Sequence, residues 1–448
     1  MSATQDLAQH IAAIKADALP DWVFHEAKRT LVNILAVSIS AQNSAPVRAL
    51  TAWADAEGAK PRATVVGSGL RTSPTIAALV NGYMAHLQDY DDTHFPTVLH
   101  PTAPVWPAVL ALAEEIGASG RDALAAFAIG AEVACRISMS IHPWHYDAGW
   151  HITGTAGVFG AVAAAGWLLK LTPDQLANAL AVGGTQAAGV REVFGSDTKA
   201  MHPAKAASNG LQAATLAQAG FTGPDDIIGG RRGFWAVLSV AGHDEDALNS
   251  DFGKHWELAN NGLKPYANGV VSHPLQDGVI KLRNEHSLTA DQVAGIKVHC
   301  HPLVLELMNR PEPRRALEGK FSFQHCAAAA LVDGAGHDAQ FTDAKVTDPT
   351  ISVLRAKVTA EIESSYGEDE VRVVITLNDG SSLETKVDHA TGSPQNPMSD
   401  EALEAKYTAL VGAEFTEAHT NELLTAIWAL DGVADVTQVT KLMTAKGG

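Results

Sequence analysis

Gly160-Ala161-Val162-Ala163-Ala164-Ala165-Gly166 carries no charge and no side chain larger than valine. A helix made of such residues is apolar on every face, so it belongs inside a protein with other helices wrapped around it. The same texture returns at Ala181-Val182-Gly183-Gly184-Thr185-Gln186-Ala187-Ala188-Gly189 and at Ala206-Ala207-Ser208-Asn209-Gly210. Residues 152–169 are apolar enough to suggest a membrane span. Their glycines and alanines, with Thr153 and Thr155 among them, favour a packed interior helix instead. These stretches predict the centre of an all-helical domain.

Outward from that centre, residues 4–18, 21–42, 46–57, 74–92, 104–116 and 121–141 show helical periodicity, and no convincing strand appears among them. After about residue 262 the pattern changes. Val293-Ala-Gly-Ile-Lys-Val-His and Val358-Thr-Ala-Glu-Ile-Glu alternate like half-buried strands. Val371-Arg-Val-Val-Ile-Thr-Leu, Asn378-Asp379-Gly380 and Ser-Leu-Glu-Thr-Lys-Val form a hairpin signal, because Asp-Gly suits the tight turn. Helices are expected at 274–285 and 319–334, then again at 400–411, 415–430 and 435–445. The fold class is therefore mostly α with an α+β part. Residues 1–262 form an all-helical domain, 263–395 an α+β domain, and 396–448 C-terminal helices that return to the first.

The chain has 448 residues, 46% hydrophobic and 18% charged, which describes a well-buried globular protein. Its net charge of −18 disfavours nucleic acid and anionic membranes as partners. Three widely spaced cysteines, Cys135, Cys300 and Cys326, fit a reducing compartment better than a disulfide framework. The N-terminus lacks the layout of a signal peptide, so the expected location is cytoplasmic.

The chemistry concentrates in residues 86–101, His-Leu-Gln-Asp-Tyr-Asp-Asp-Thr-His-Phe-Pro-Thr-Val-Leu-His-Pro. Ser73 and Pro74 start a helix there. If it runs one turn past Asp89, then His86, Asp89 and Thr93 share a face. A solvated acidic helix end is the plainer reading of the same residues. His-Pro occurs five times, at His100, His142, His202, His273 and His301. An imidazole just before a helix-starting proline sits near the positive dipole end, where the neutral form is favoured. Each could equally be a simple cap or turn residue.

His151 precedes Thr153 and Gly154 and is placed to project into space that the glycines leave open. Lys199 and Lys205 flank His202-Pro203, a setting for a bound anion, with Arg191 a second carboxylate ligand. A solvated lysine pair and an Arg191–Glu192 ion pair are the bland alternatives. No nucleophile elbow, phosphate loop, dinucleotide fingerprint or zinc helix motif is present. The residue types point to proton chemistry on a carboxylate-bearing substrate, with Lys and His stabilising charge. Two rivals stand beside that reading. One is a metal-dependent hydratase or hydrolase using Asp91, Asp92 and the histidines. The other is a non-catalytic carboxylate-binding protein.

Asp89-Tyr-Asp-Asp-Thr-His with His100-Pro101, Gly149-Trp-His151-Ile-Thr153-Gly and Phe194-Gly-Ser-Asp-Thr-Lys199-Ala-Met-His202 are similar to motifs of the MmgE/PrpD family. So are Lys264-Pro-Tyr266 with His273, Lys320-Phe-Ser-Phe-Gln and Gly392-Ser-Pro-Gln-Asn-Pro, in the right order over nearly the whole chain. The family contains 2-methylcitrate dehydratase, cis-aconitate decarboxylase and iminodisuccinate epimerase. The resemblance implies a large all-helical domain built from both chain ends, a smaller inserted α+β lid, a homodimer, and a site between the domains without metal or organic cofactor.

Carried over by position, the catalytic set is Asp89, Thr93, His100, His151, Lys199 and His273. Lys264, Arg191, Lys205, His202 and Tyr266 bind the substrate, a small di- or tricarboxylate. Ile152 and Ala200 stand where proline is usual in the family, and Ala204 where glycine is usual. Asn268-Gly269 stands where the decarboxylase branch has a catalytic histidine, which makes decarboxylation the least favoured member activity. The expected reaction is abstraction of a proton α to a carboxylate by His100 or His151, with Asp89 orienting the base, in a dehydratase or an epimerase.

Overall fold

The structure, a computed structural model, describes residues 2–444. Met1 and residues 445–448 lie outside the described residues, and with them the last residue of the helix expected at 435–445. The longer helices are α1 (Ala3–Ala13), α2 (Asp21–Ala41), α3 (Ala45–Ala56), α4 (Pro74–Leu87), α5 (Thr102–Ile116), α6 (Gly120–Ile141), α7 (Gly157–Leu168), α8 (Pro173–Gly184), α9 (Met201–Gln218), α10 (His273–His286), α11 (Phe323–Asp333), α12 (Asp400–Val411) and α13 (Glu417–Trp428). The strands β1 (Val293–Cys300), β2 (Val358–Ile362), β3 (Val371–Leu377) and β4 (Ser382–Val387) form one sheet. The chain is thus mostly α with an α+β part. The described residues pack as two units: 2–87, 91–261 and 399–444 in one, 88–90 and 262–398 in the other.

In the helical unit, α7 is the interior helix that the small-residue run predicts, with every residue buried except the half-buried Trp167. Its approach to α6 leaves no room for a methyl group. A Cβ on Gly160 would lie 2.6 Å from the Gly130 carbonyl, and one on Gly130 would lie 2.7 Å from the Gly160 carbonyl. On the α9 side, a Cβ on Gly210 would come within 2.4 Å of Ala161 Cβ. Close-packed interiors admit no such overlap, so glycine is required at these crossings.

Helix α6 is also long and apolar enough to cross a membrane, and 94% of its most apolar window is buried within the fold, as a core helix would be. Trp106 of α5 stacks on Phe127 of α6 at 4.3 Å and donates its indole N–H to Thr30 of α2. The C-terminal helix α12 docks on α2: Arg29 pairs with Asp400, and Lys406 Nζ donates to Asn33 Oδ1 at 2.7 Å.

Three expectations are corrected in this unit. Short strands do occur, Ala63–Thr64 pairing with Arg71–Thr72, and Asp92–His94. The segment expected as a helix at 435–445 is a short turn, Thr437–Thr440, followed by a 3₁₀ turn. Helix α4 stops at Leu87 instead of reaching residue 92.

In the α+β unit the sheet order is β2-β1-β3-β4, with β1 parallel to β2 and the other pairs antiparallel. The predicted hairpin is β3–β4, turning through Asp379 and Gly380, whose φ of 88° is the left-handed conformation glycine tolerates. Val371, Val373 and Ile375 alternate inward on β3, and α10 packs against them closely at Gly278. The three cysteines are free and buried.

Candidate active site: an imidazole cluster in the helical unit

Helix α4 ends because Asp89 adopts φ 53°, a left-handed backbone that a continuing helix excludes. His86, Asp89 and Thr93 therefore do not share a helix face as expected. The chain turns extended at Asp92–His94, and the three acids take separate partners. Asp91 Oδ2 accepts from His86 Nδ1 at 2.7 Å with both side chains fully buried. Asp92 accepts from the Thr102 hydroxyl at 2.5 Å and from Asn261 Nδ2 at 2.8 Å. Asp89 belongs to the α+β unit, where its carboxylate lies 3.0 Å from Lys264 Nζ. The carboxylate hydrogen-bonded to His86 is thus Asp91.

His86 at the end of α4 packs its ring 4.8 Å from His100 and 5.6 Å from His151, and those two rings are 6.2 Å apart. His100 Nδ1 donates to the Asp92 carbonyl, with Thr93 Oγ1 at 3.4 Å and Asp91 Oδ1 at 3.9 Å. The His100 backbone N–H donates to the Thr153 hydroxyl at 3.2 Å. His151 caps the short helical turn Ile152–Thr155, and its Nδ1 lies 2.8 Å from His202 Nδ1. The space predicted beside His151 is filled by that second imidazole. A Cβ on Gly189 would sit 3.1 Å from the His202 ring, and one on Gly154 would sit 3.0 Å from His202 Cβ. His202 and Pro203 lie within α9, whose first residue is Met201.

Lys199 is buried, with its ammonium 5.2 Å from the Phe194 ring, while Phe194 meets His151 edge-on at 4.9 Å. Burial first, then the Lys199 ammonium and the neighbouring imidazoles, hold His151 well below the ordinary histidine range. Burial, His86 and Lys199 push His202 down to about 4. Both rings are therefore neutral near pH 7 and share one hydrogen bond, so one Nδ1 carries a proton and the other a lone pair. Bringing in an anion would reverse the shift, because nearby negative charge favours imidazolium.

The two other basic candidates are placed differently from Lys199. Lys205 is exposed, unlike Lys199. Arg191 stacks 4.0 Å over the Tyr146 ring and donates to the Tyr146 carbonyl at 3.0 Å.

Within the α+β unit, the buried pair Lys264–Asp89 is joined by Lys320, which donates to Gln88 O at 2.8 Å, Ala267 O at 3.0 Å and Asp338 at 2.7 Å. Tyr266 donates to Asp277 at 2.5 Å, and Asp277 accepts from the Thr391 N–H at 2.6 Å. His273 starts α10 and meets the Asn268 carbonyl at 3.3 Å. Gly269 has no side chain, and a Cβ there would lie 2.4 Å from Met308 Sδ. His301 caps Leu303, and His299 bonds Arg372 at 2.9 Å. Sequence reasoning set His86 and Asp91 outside the proton-transfer set. Their spacing of five residues was visible, but the reversal at Asp89 that brings them together was not.

The chain belongs to the MmgE/PrpD family. Residues 5–245 match the MmgE/PrpD N-terminal domain and residues 266–431 the MmgE/PrpD C-terminal domain. It is similar to cis-aconitate decarboxylase of Mus musculus, 28% identical over 459 aligned positions covering 99% of this chain and 93% of the relative. The Homo sapiens cis-aconitate decarboxylase is 27% identical with 99% and 94% covered, and that of Aspergillus terreus 28% with 85% and 83% covered. These relatives carry the one member activity that the sequence reading placed last.

Proposed function

We propose that this protein is a lyase of small polycarboxylates that releases CO2 from cis-aconitate or an acid of that shape, with imidazole as the proton carrier. The observation that carries the reading is the packing of His86, His100, His151 and His202 against one another, with Asp91 accepting from His86 and Lys199 close enough to depress His151, in a chain whose relatives over nearly its full length are named cis-aconitate decarboxylases. In such a reaction the bond to the departing carboxylate breaks and its electron pair becomes a new C=C. The old double bond takes one proton at the carbon beside a remaining carboxylate. One proton is consumed and one CO2 leaves. His100 or His151 supplies that proton once the substrate's negative charge has raised its affinity for it. Lys199 and the Thr93 hydroxyl stabilise the charge that develops on the carboxylate.

A second reading, dehydratase or epimerase, is favoured by Gly269. The decarboxylase branch of the family is expected to place a histidine at Asn268-Gly269, and Met308 occupies the space that a side chain on Gly269 would enter. The same imidazoles then remove an α-proton instead of adding one. The expected homodimer and cytoplasmic location are part of the proposal.

Incubation in D₂O with cis-aconitate, 2-methylcitrate, malate and aspartate-derived acids tests the choice by NMR and CO2 release. CO2 with one deuterium on the product carbon supports decarboxylation. Deuterium uptake without CO2 selects the second reading, and neither from any acid overturns both.

A further inference from the structure

His86, His100 and His151 come from three segments and are all buried, and each offers a ring nitrogen within 4.8 Å of those of the other two. Each also has its Nδ1 engaged. His86 Nδ1 donates to the Asp91 carboxylate at 2.7 Å, and His100 Nδ1 donates to the Asp92 carbonyl. His151 Nδ1 faces His202 Nδ1 at 2.8 Å. An oxygen acceptor on Nδ1 fixes the tautomer, so in His86 and His100 the nitrogen with a lone pair is Nε2. Metal-binding histidines are built in this way, with the second nitrogen donating to a carboxylate or carbonyl that orients the ring and raises its basicity.

Four-coordinate zinc holds imidazole nitrogens at about 2.0–2.1 Å, which places them roughly 3.4 Å from one another, so closure asks for at most about an ångström of movement per ring. Three imidazoles select Zn²⁺, Co²⁺, Ni²⁺ or Cu²⁺ over the oxygen-seeking Mg²⁺ and Ca²⁺. The Lys199 ammonium opposes a dication here, and the buried Asp91 carboxylate favours one.

We propose that His86, His100 and His151 form a three-imidazole site for a borderline divalent cation of the Zn²⁺ type, and that its occupancy stops the proton chemistry by taking up the ring lone pairs. The second half rests on the function proposed above; the first does not. Asp91, which accepts from His86 Nδ1, serves as the outer support of that ligand, and Asp92 is committed to Thr102 and Asn261.

The test is Co²⁺ titration of the full chain after chelator treatment, followed by visible absorption without substrate. One Co²⁺ per chain with the intense bands of tetrahedral coordination, displaced by Zn²⁺, is expected. Asp91→Asn keeps the side-chain volume and weakens Co²⁺ binding about 10–100-fold. His86→Ala abolishes the bands, while His299→Ala in the α+β unit leaves them unchanged. Absence of the bands in the wild type, or equal binding by wild type, Asp91→Asn and His86→Ala, overturns the site. Turnover that persists with the site filled by Zn²⁺ overturns the blocking effect. A bound metal with no turnover of any acid counts against the proposed function alone.

Discussion

Asp91→Asn tests the carboxylate that is hydrogen-bonded to His86 in the imidazole cluster. The substitution keeps the volume of a fully buried side chain, and the amide oxygen can still accept from His86 Nδ1, now 2.7 Å from a charged oxygen. A hydrogen bond to a charged group contributes about 1.5–3 kcal/mol and a neutral one about 0.5–1.5, so losing the charge costs about 1–1.5 kcal/mol of ring orientation. On that account alone kcat/KM falls about tenfold. A larger loss is expected if His100 becomes imidazolium on the reaction path. Its Nδ1 is 3.9 Å from Asp91 Oδ1, and at an effective dielectric of about 20 a unit charge pair at that distance is worth roughly 4 kcal/mol as an upper figure. The loss then approaches about 10³-fold.

The assay is kcat/KM on whichever acid releases CO2 or exchanges deuterium, with a urea midpoint to confirm that the variant is folded. A tenfold loss assigns Asp91 to orientation, and a thousandfold loss assigns proton-carrying charge to His100. A folded variant within twofold of wild type would refute the arrangement of the cluster as a catalytic unit.

Gly160→Ala places a methyl 2.6 Å from the Gly130 carbonyl and 2.8 Å from Ala134 Cβ; overpacking of about 1–3 kcal/mol outweighs the helix-propensity gain of about 1, and a lower urea midpoint checks it. Gly269→His collides with Met308 and lowers thermal stability, whereas Gly269→His with Met308→Ala recovers folding. If the decarboxylase reading holds, the double variant raises CO2 release relative to deuterium exchange. Stability falls on acidification from pH 6.5 toward 4, because unfolded histidines take up protons that buried ones refuse. Burial pushes His145 and His325 down to about 4, and each contributes up to roughly 3 kcal/mol to this loss. Glu132, raised to about 7 by burial, binds its proton in the folded state over the same range and offsets about one of them. Urea titrations at pH 7 and pH 5 show the net direction, and equal midpoints would contradict it.

The parts of the fold that a sequence displays well are those set by repeating local chemistry. Glycine and alanine at 160–166 and 206–210 foretold a close helix crossing, and the Gly160 and Gly210 distances show why nothing larger fits. Asp379-Gly380 foretold the β3–β4 turn. The helix beyond Leu87 was misread because a left-handed aspartate leaves no mark on hydrophobic periodicity. Asp89, Asp91 and Asp92 look alike in a string of letters, yet three different partners divide them. Lys199 and Lys205 differ by six positions and by burial, which only the turn before α9 decides. The His151–His202 contact joins rings 51 residues apart, a closeness that spacing cannot encode.

Lys406 of α12 donates to Asn33 Oδ1, and Asn33 Nδ2 donates at 2.9 Å to the carbonyl of Asp91, the residue that steadies His86. The brace for the cluster therefore follows His86, His100, His151 and His202 in the order of synthesis. A growing chain holds the reagents for proton transfer long before it holds them still. Order at the cluster thus depends on a helix far downstream of it in the sequence.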